Sequence, residues 1–155
     1  MLGAAQVDRF GNINSSSIGD HDHPTVRLPG SGGANDIASL CNQLLIVTSH
    51  ESRRFVDKVD FVTSPGWLRG GAGRGDAGLR QGGPAVVVTE LGVFHFDPVS
   101  KEMRLSALQE GVTLDEVRSR TGFALTTVAD VGQVAPPTSV ELQTLRKLTG
   151  VDAPR

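Results

Sequence analysis

The nine residues Leu28-Pro29-Gly30-Ser31-Gly32-Gly33-Ala34-Asn35-Asp36 have the types and order of a loop that can hold an anionic oxygen. Three glycines let the backbone turn tightly and leave its N–H groups uncovered, so a charged or developing oxyanion can approach them closely. A helix that follows adds its positive N-terminal end. No Gly-Lys-Ser/Thr follows, which excludes a phosphate P-loop, and the full dinucleotide-binding spacing is absent. Spacing alone leaves two readings open, an anion-binding loop and a tight turn with no ligand. Asn35 or Asp36 suits the N-cap of the next helix.

Other reactive side chains are scattered. His21-Asp22-His23 places two imidazoles close together but offers no third ligand, so a solvated turn is the simpler reading. Cys41 lies on an apolar helical face and is expected in the core. His50, Glu51, Arg53 and Arg54 form a charged turn whose arginines could meet anionic oxygens. Arg69, Arg74 and Arg80 lie in a segment, residues 66–83, where eight of eighteen residues are glycine. With only Trp67, Leu68 and Leu79 to pack, that segment reads as a long mobile loop that keeps its arginines in water.

These groups must be positioned by a modest set of elements. Residues 4–10, 26–28, 59–63, 85–90, 92–97 and 103–108 read as extended. Ile37, Leu40, Cys41, Leu44 and Leu45 recur at helical spacing, with a helix ending near Gln43 and residues 44–47 forming a buried strand. Thr113-Leu114-Asp115-Glu116 and Thr138-Ser139-Val140-Glu141 are capping boxes that open two further helices, the second stopping at Gly150. Strands alternate with helices, so the expected class is α/β with a mostly parallel sheet flanked by helices. The 155 residues suit one domain.

Composition removes whole classes of function. Fifteen Lys+Arg stand against seventeen Asp+Glu, which argues against nucleic-acid or acidic-membrane binding. No apolar run reaches membrane-spanning length, and one cysteine allows no internal disulfide and no Cys-based zinc site. A soluble, cytoplasmic protein without a bound metal is the expectation.

Several long strings carry a resemblance. Residues 3–14 (Gly-Ala-Ala-Gln-Val-Asp-Arg-Phe-Gly-Asn-Ile-Asn), residues 28–39, His50-Glu51-Ser52-Arg53-Arg54-Phe55-Val56 and Val59-Asp60-Phe61-Val62-Thr63-Ser64-Pro65-Gly66 closely resemble the β subunit of class I coenzyme A transferases, in its glutaconate-type branch. So do Leu91-Gly92-Val93-Phe94-His95-Phe96-Asp97-Pro98 and Gly111-Val112-Thr113. The resemblance implies the coenzyme A transferase (NagB/RpiA-like) fold and an α/β hetero-oligomer. It also implies exchange of coenzyme A between an acyl-CoA thioester and a small or dicarboxylic acid, with coenzyme A as substrate and no permanently bound cofactor. Gly30, Gly32 and Gly33 match the family's oxyanion loop. Ser31, Ala34, Asn35, Arg53 and Arg54 become candidates for substrate or CoA contact, Ala34 standing where many relatives carry an aromatic residue.

One departure matters. The family's nucleophilic glutamate lies upstream of the motif that here begins at Leu2, and none of Glu51, Glu90, Glu102, Glu110, Glu116 and Glu141 has its sequence context. The chain therefore reads as the C-terminal portion of a β subunit, a single domain over residues 1–155, and is expected to be inactive alone. Two alternatives remain: a subunit of a ring-opening acyl-CoA hydrolase of the same fold, and a non-catalytic binding or assembly subunit.

Overall fold

Strand β5 (Leu44–Val47) opens a five-stranded sheet that continues through β6 (Pro84–Val88), β7 (Gly92–Phe96), β8 (Met103–Leu108) and β9 (Thr126–Gln133), in that spatial order. The computed structural model describes residues 1–79 and 82–150. Two short hairpins precede the sheet: β1 (Gln6–Val7) with β2 (Ile13–Asn14), and β3 (Ser17–Ile18) with β4 (Val26–Arg27). Helix α1 (Ala34–Leu40) leads into β5, α2 (Gly73–Asp76) lies in the glycine-rich segment, α3 (Leu114–Ser119) joins β8 to β9, and α4 (Ser139–Thr149) ends the described chain.

The class is α/β, as expected, but the sheet is mixed rather than mostly parallel. β5–β6 and β8–β9 pair in parallel, β6–β7 and β7–β8 antiparallel. Connection length explains the difference. Only residues 89–91 and 97–102 separate the central strands, too few for a crossover, whereas residues 48–83 and the α3 segment are long enough to return the chain in parallel. In the first turn the Thr89 hydroxyl accepts the N–H groups of Leu91 and Gly92, each at 3.1 Å. In the second the Asp97 carboxylate accepts those of Val99 and Ser100, which holds its carboxyl below the usual range.

One sheet face is packed. Leu44, Ile46, Val87, Phe94, Met103 and Leu105 meet Val7, Ile13 and Phe55 from the hairpin side and Val117 and Phe123 from the α3 side. β5 is consequently not buried throughout: Leu44 and Ile46 face the core, Leu45 and Val47 the opposite, exposed side. The expected apolar helical face is also mostly outside. Ala38 is buried, but Ile37 and Leu40 are exposed and so is Cys41, contrary to the core placement expected for it.

Other elements differ from expectation for local reasons. Residues 59–63 form no strand: Asp60 N–H goes to the Gln6 side chain, Thr63 O to the Asn35 side chain, and Thr63 N–H to Ile13 O. β9 carries Thr126, Thr127, Asp130 and Gln133 and is largely exposed, so its composition gave no strand signal. Thr138 and Glu141 form the complete capping box, and Gly150 closes α4 in the left-handed conformation. At α3 only half of the box forms: Thr113 accepts the Glu116 N–H, while the Glu116 carboxylate pairs with Arg120. No helix among the described residues is long and apolar enough to cross a membrane.

His50 is wholly buried and not part of a charged surface turn. Its ring stacks on Phe55 with centroids 3.8 Å apart, and its backbone N–H is held by the Glu90 carboxylate. The Thr121 hydroxyl donates to Val117 O, so it accepts from His50 Nε2–H at 3.0 Å; Nδ1 then faces the Thr89 hydroxyl, whose proton it shares with Gly92 O, each at 3.3 Å. Loss of hydration on burial pushes the His50 pKa down to about 4. The unfolded chain therefore takes up this proton at higher pH than the folded one, and stability falls as pH drops from about 6.5 toward about 4. Asp8, whose carboxyl is pushed up by burial, works in the opposite sense, so a variant comparison is needed to isolate the histidine. Urea unfolding across this range should show the wild type losing about 3 kcal/mol more than His50→Gln on going from pH 7 to pH 4. Parallel curves would mean that His50 is not buried in its neutral form.

Candidate functional site

The glycine loop leaves β4 and enters α1 with its entry side hydrogen-bonded to residues 15 and 16. Leu28 N–H donates to Ser16 O at 2.9 Å and Gly30 N–H to Ser15 O at 2.8 Å, while Ser15 Oγ donates back to Gly30 O at 3.0 Å. Ala34 N–H closes the turn on Ser31 O at 2.8 Å. Gly30 and Gly32 have φ of +89° and +49°, conformations in which a side chain is strained.

Gly33 needs no such freedom. Its φ of −84° and ψ of 0° suit most residues, and a Cβ placed there meets nothing within 4 Å. Gly30 and Gly32 face open space too. The N–H groups of Ser31, Gly32 and Gly33 find no acceptor among the described residues. Uncovered backbone donors in a loop with open space beside its glycines are suited to a developing oxyanion. Helix α1 is only seven residues long, so these N–H groups, more than a helix dipole, supply the positive potential.

Gly33, not Asn35 or Asp36, is the N-cap, and no side chain caps it. Asn35 instead reaches out of the helix and donates through Nδ2 to Thr63 O at 2.8 Å, a tether between loop and body. Ser31 Oγ bonds the adjacent Gly32 O at 3.1 Å. Ala34 is the first helical residue and half-buried.

Arg53 and Arg54 share Glu51, at 2.5 and 3.2 Å, and Arg54 also donates to Ala4 O at 2.9 Å. Both line a cavity of about 310 Å³ with Ala5, Ile18, Val26 and Leu28. The arginine pair is thus brought to the strand that feeds the glycine loop, although the three open N–H groups lie outside the cavity lining. A larger cleft of about 590 Å³ contains Asp8, Arg9, Lys58, Arg69 and Glu102 and no loop residue.

Arg74 is not a solvated loop residue. It is 3% exposed, and its guanidinium donates to Pro65 O, Gly66 O, Ala38 O and Ser39 O at 2.9–3.4 Å. The last two carbonyls end α1, where a cation is favoured. Arg69 is exposed and pairs with Asp76; Arg80 lies outside the described residues. His21 stacks on Phe61, and no group of three His, Cys, Asp or Glu among the described residues is placed to hold a metal. Ser15 and Thr63, which shape the site from behind, carried no chemical signature in the sequence, and the glycine-rich surroundings of Arg74 pointed to solvent.

A family model described as Coenzyme A transferase matches residues 1–120. The chain is 46% identical over 147 residues to the B subunit of 3-oxoadipate CoA-transferase from Pseudomonas knackmussii, covering 95% of the chain and 56% of that protein. It is 45% identical over 140 residues to the B subunit of glutaconate CoA-transferase from Acidaminococcus fermentans, covering 90% and 52%. The crystal structure of glutaconate coenzyme A-transferase from that organism aligns over 94% of this chain and 56% of its own, with 42% identity and a TM-score of 0.88. A further relative is the cholesterol ring-cleaving hydrolase IpdB subunit of Rhodococcus jostii, 34% identical over 155 residues, covering 96% of this chain and 58% of that protein. The chain thus spans between about half and three-fifths of the length of these relatives.

Because neither backbone nor packing demands glycine at position 33, Gly33→Ala should leave the unfolding free energy within about 1 kcal/mol of wild type. Chemical denaturation checks this. A larger loss would mean that the glycine serves the fold and not the open space before it.

Proposed function

The chain belongs to the coenzyme A transferase family, and from that footing we propose that it is the portion of a β subunit that stabilises the oxyanion during CoA transfer. The observation that carries this reading is the set of uncovered N–H groups at Ser31, Gly32 and Gly33, with open space before the glycines. The substrates are an acyl-CoA thioester and a carboxylic acid, glutaconate-like or another small or dicarboxylic acid. The relatives named for glutaconate and 3-oxoadipate support that class. Coenzyme A is a substrate here, carried in as its thioester.

In the proposed reaction a glutamate carboxylate attacks the thioester carbonyl, and the carbonyl oxygen becomes an oxyanion that accepts from the loop. Collapse releases the CoA thiolate and leaves a mixed anhydride on the enzyme. The thiolate then attacks the glutamyl carbonyl, freeing the first acid and forming the glutamyl-CoA thioester. The second acid takes the coenzyme A by the reverse sequence. A single well-placed oxyanion donor is worth about 3–4 kcal/mol of barrier in other enzymes. Arg53 and Arg54 suit the anionic groups of the substrates, and Asn35 holds the loop.

No nucleophile is assigned within these residues. Glu51 is bound by Arg53 and Arg54, Glu90 by the His50 N–H, Glu102 faces Arg9, Glu116 is bound by Arg120 and Glu141 by its own cap, and none of the six, Glu110 included, has the sequence context of the family's nucleophile. We therefore place the nucleophilic glutamate on polypeptide outside these 155 residues and expect the chain alone to be inactive. An α subunit completes the hetero-oligomer, a reading supported by relatives that are themselves named as single subunits of their enzymes.

In the assembled enzyme, Gly32→Val and Gly33→Val should each cut turnover more than tenfold. Unchanged turnover in the folded Gly33→Val enzyme would remove the oxyanion assignment. Product analysis separates transfer from the hydrolysis suggested by the ring-cleaving relative. A new acyl-CoA means transfer, and free acid with free CoA means hydrolysis. Acyl-CoA turnover by the 155-residue chain alone would overturn the assignment of the nucleophile.

A further inference from the structure

Both ends of the glycine loop are fastened to one buried threonine. At the entry, Gly30 and Ser15 exchange two hydrogen bonds, N–H to Ser15 O at 2.8 Å and Ser15 Oγ to Gly30 O at 3.0 Å. Ser15 N–H in turn donates to Thr63 Oγ1 at 2.9 Å. At the exit, Asn35 Nδ2 donates to Thr63 O at 2.8 Å. Thr63 is 4% exposed and is itself fixed to the hairpin through its N–H on Ile13 O at 2.9 Å.

The hydroxyl accepts from Ser15 N–H at 2.9 Å, shares a hydrogen bond with the Ser16 hydroxyl at 2.8 Å in which either oxygen can donate, and lies 3.4 Å from Asn14 Oδ1. Its contacts are thus all with the segment that carries the entry of the loop. Between the two tethers the glycines have nothing beside them, since Cβ atoms at 32 and 33 would meet no atom within 4 Å. Side-chain packing beside the glycines therefore does not fix the Gly32–Gly33 backbone. The ends of the segment do.

We propose that Thr63, acting through Ser15 and Asn35, is the positioning residue that holds the glycine loop in its donor geometry. This rests on the oxyanion reading above. Thr63 touches no substrate in this scheme. It fixes the distance between Gly30 and Asn35, and so the curvature of the donors between them. Preorganised donors lose much of their effect when displaced by a fraction of an ångström, because the oxyanion then has to drag them into place.

The test uses Thr63→Val, which keeps the shape and drops the hydroxyl, and Thr63→Ser, which keeps the hydroxyl, in the assembled enzyme. Two readouts are taken: hydrogen exchange at the protected amides of Ser15, Gly30 and Ala34, and the kinetics of acyl-CoA turnover. Thr63→Val should speed exchange at those amides at least tenfold while the β7 and β8 amides keep their rates. It should lower kcat at least tenfold with KM within twofold, and Thr63→Ser should restore both. Unchanged exchange in Thr63→Val overturns the brace, and faster exchange with unchanged kcat overturns its role in catalysis. Should Thr63→Val fail to fold, Asn35→Ala, which deletes the tether to Thr63 O, decides by exchange at the same amides: faster exchange supports the brace and unchanged exchange overturns it. An assembled wild type without acyl-CoA activity would sink the functional reading instead, and exchange alone would then decide the brace.

Discussion

Polar backbone groups at residues 16–17 and 66–68 are bound by two buried asparagine amides. Asn12 Oδ1 accepts the N–H groups of Gly66 and Leu68, and Nδ2 donates to Leu68 O and the Asp8 carboxylate. Asn14 Nδ2 donates to Gln6 Oε1 and Ser17 O, and its Oδ1 accepts from Ser16 N–H. An unpaired buried amide or carbonyl costs about 1–3 kcal/mol. The two side chains act here as lengths of strand that the backbone does not provide. Together with the Ile13–Ser64 bridge and the bonds from Ser15 and Ser16, they join the hairpins, residues 59–68 and the glycine loop in one frame.

That frame lets an exposed loop have a fixed shape. Gly30 hangs from Ser15, Asn35 from Thr63, and both supports sit beside Asn14. Arg74 completes the arrangement from the other side by tying the last carbonyls of α1 to Pro65 and Gly66. The helix that follows the loop is short and mostly exposed, so it is located by hydrogen bonds at its two ends more than by an apolar face. Hydrogen bonding at its ends leaves the Ser31, Gly32 and Gly33 N–H groups free, whereas packing around the glycines would have filled the space beside them.

His50 shows the same economy in the core. Its position next to Glu51, Arg53 and Arg54 suggested a charged surface turn, but the chain bends so that the ring enters the sheet-facing core while its neighbours stay out. Hydroxyls from Thr89 and Thr121 make a neutral imidazole acceptable there. It joins the β6–β7 turn to the end of α3, elements distant in sequence.

Much of this was legible from residue order, because it depends on neighbours along the chain. Thr138 and Glu141 cap α4, Gly150 stops it, the 103–108 strand is where its pattern puts it, and Gly30-Ser31-Gly32-Gly33 announces an open loop. Long motifs were enough to place the chain in its family. Spacing could not reveal which side of an apolar pattern would be covered. Ile37, Leu40, Cys41, Leu45 and Val47 repeat as core residues do, yet the sheet has one packed face and they lie off it. Nor could residue type reveal that Arg74 would be buried or that Thr63 would brace a loop twenty-eight residues before it. Those roles arise from groups brought together across the fold, and a hydrogen bond between distant residues leaves no local pattern to read.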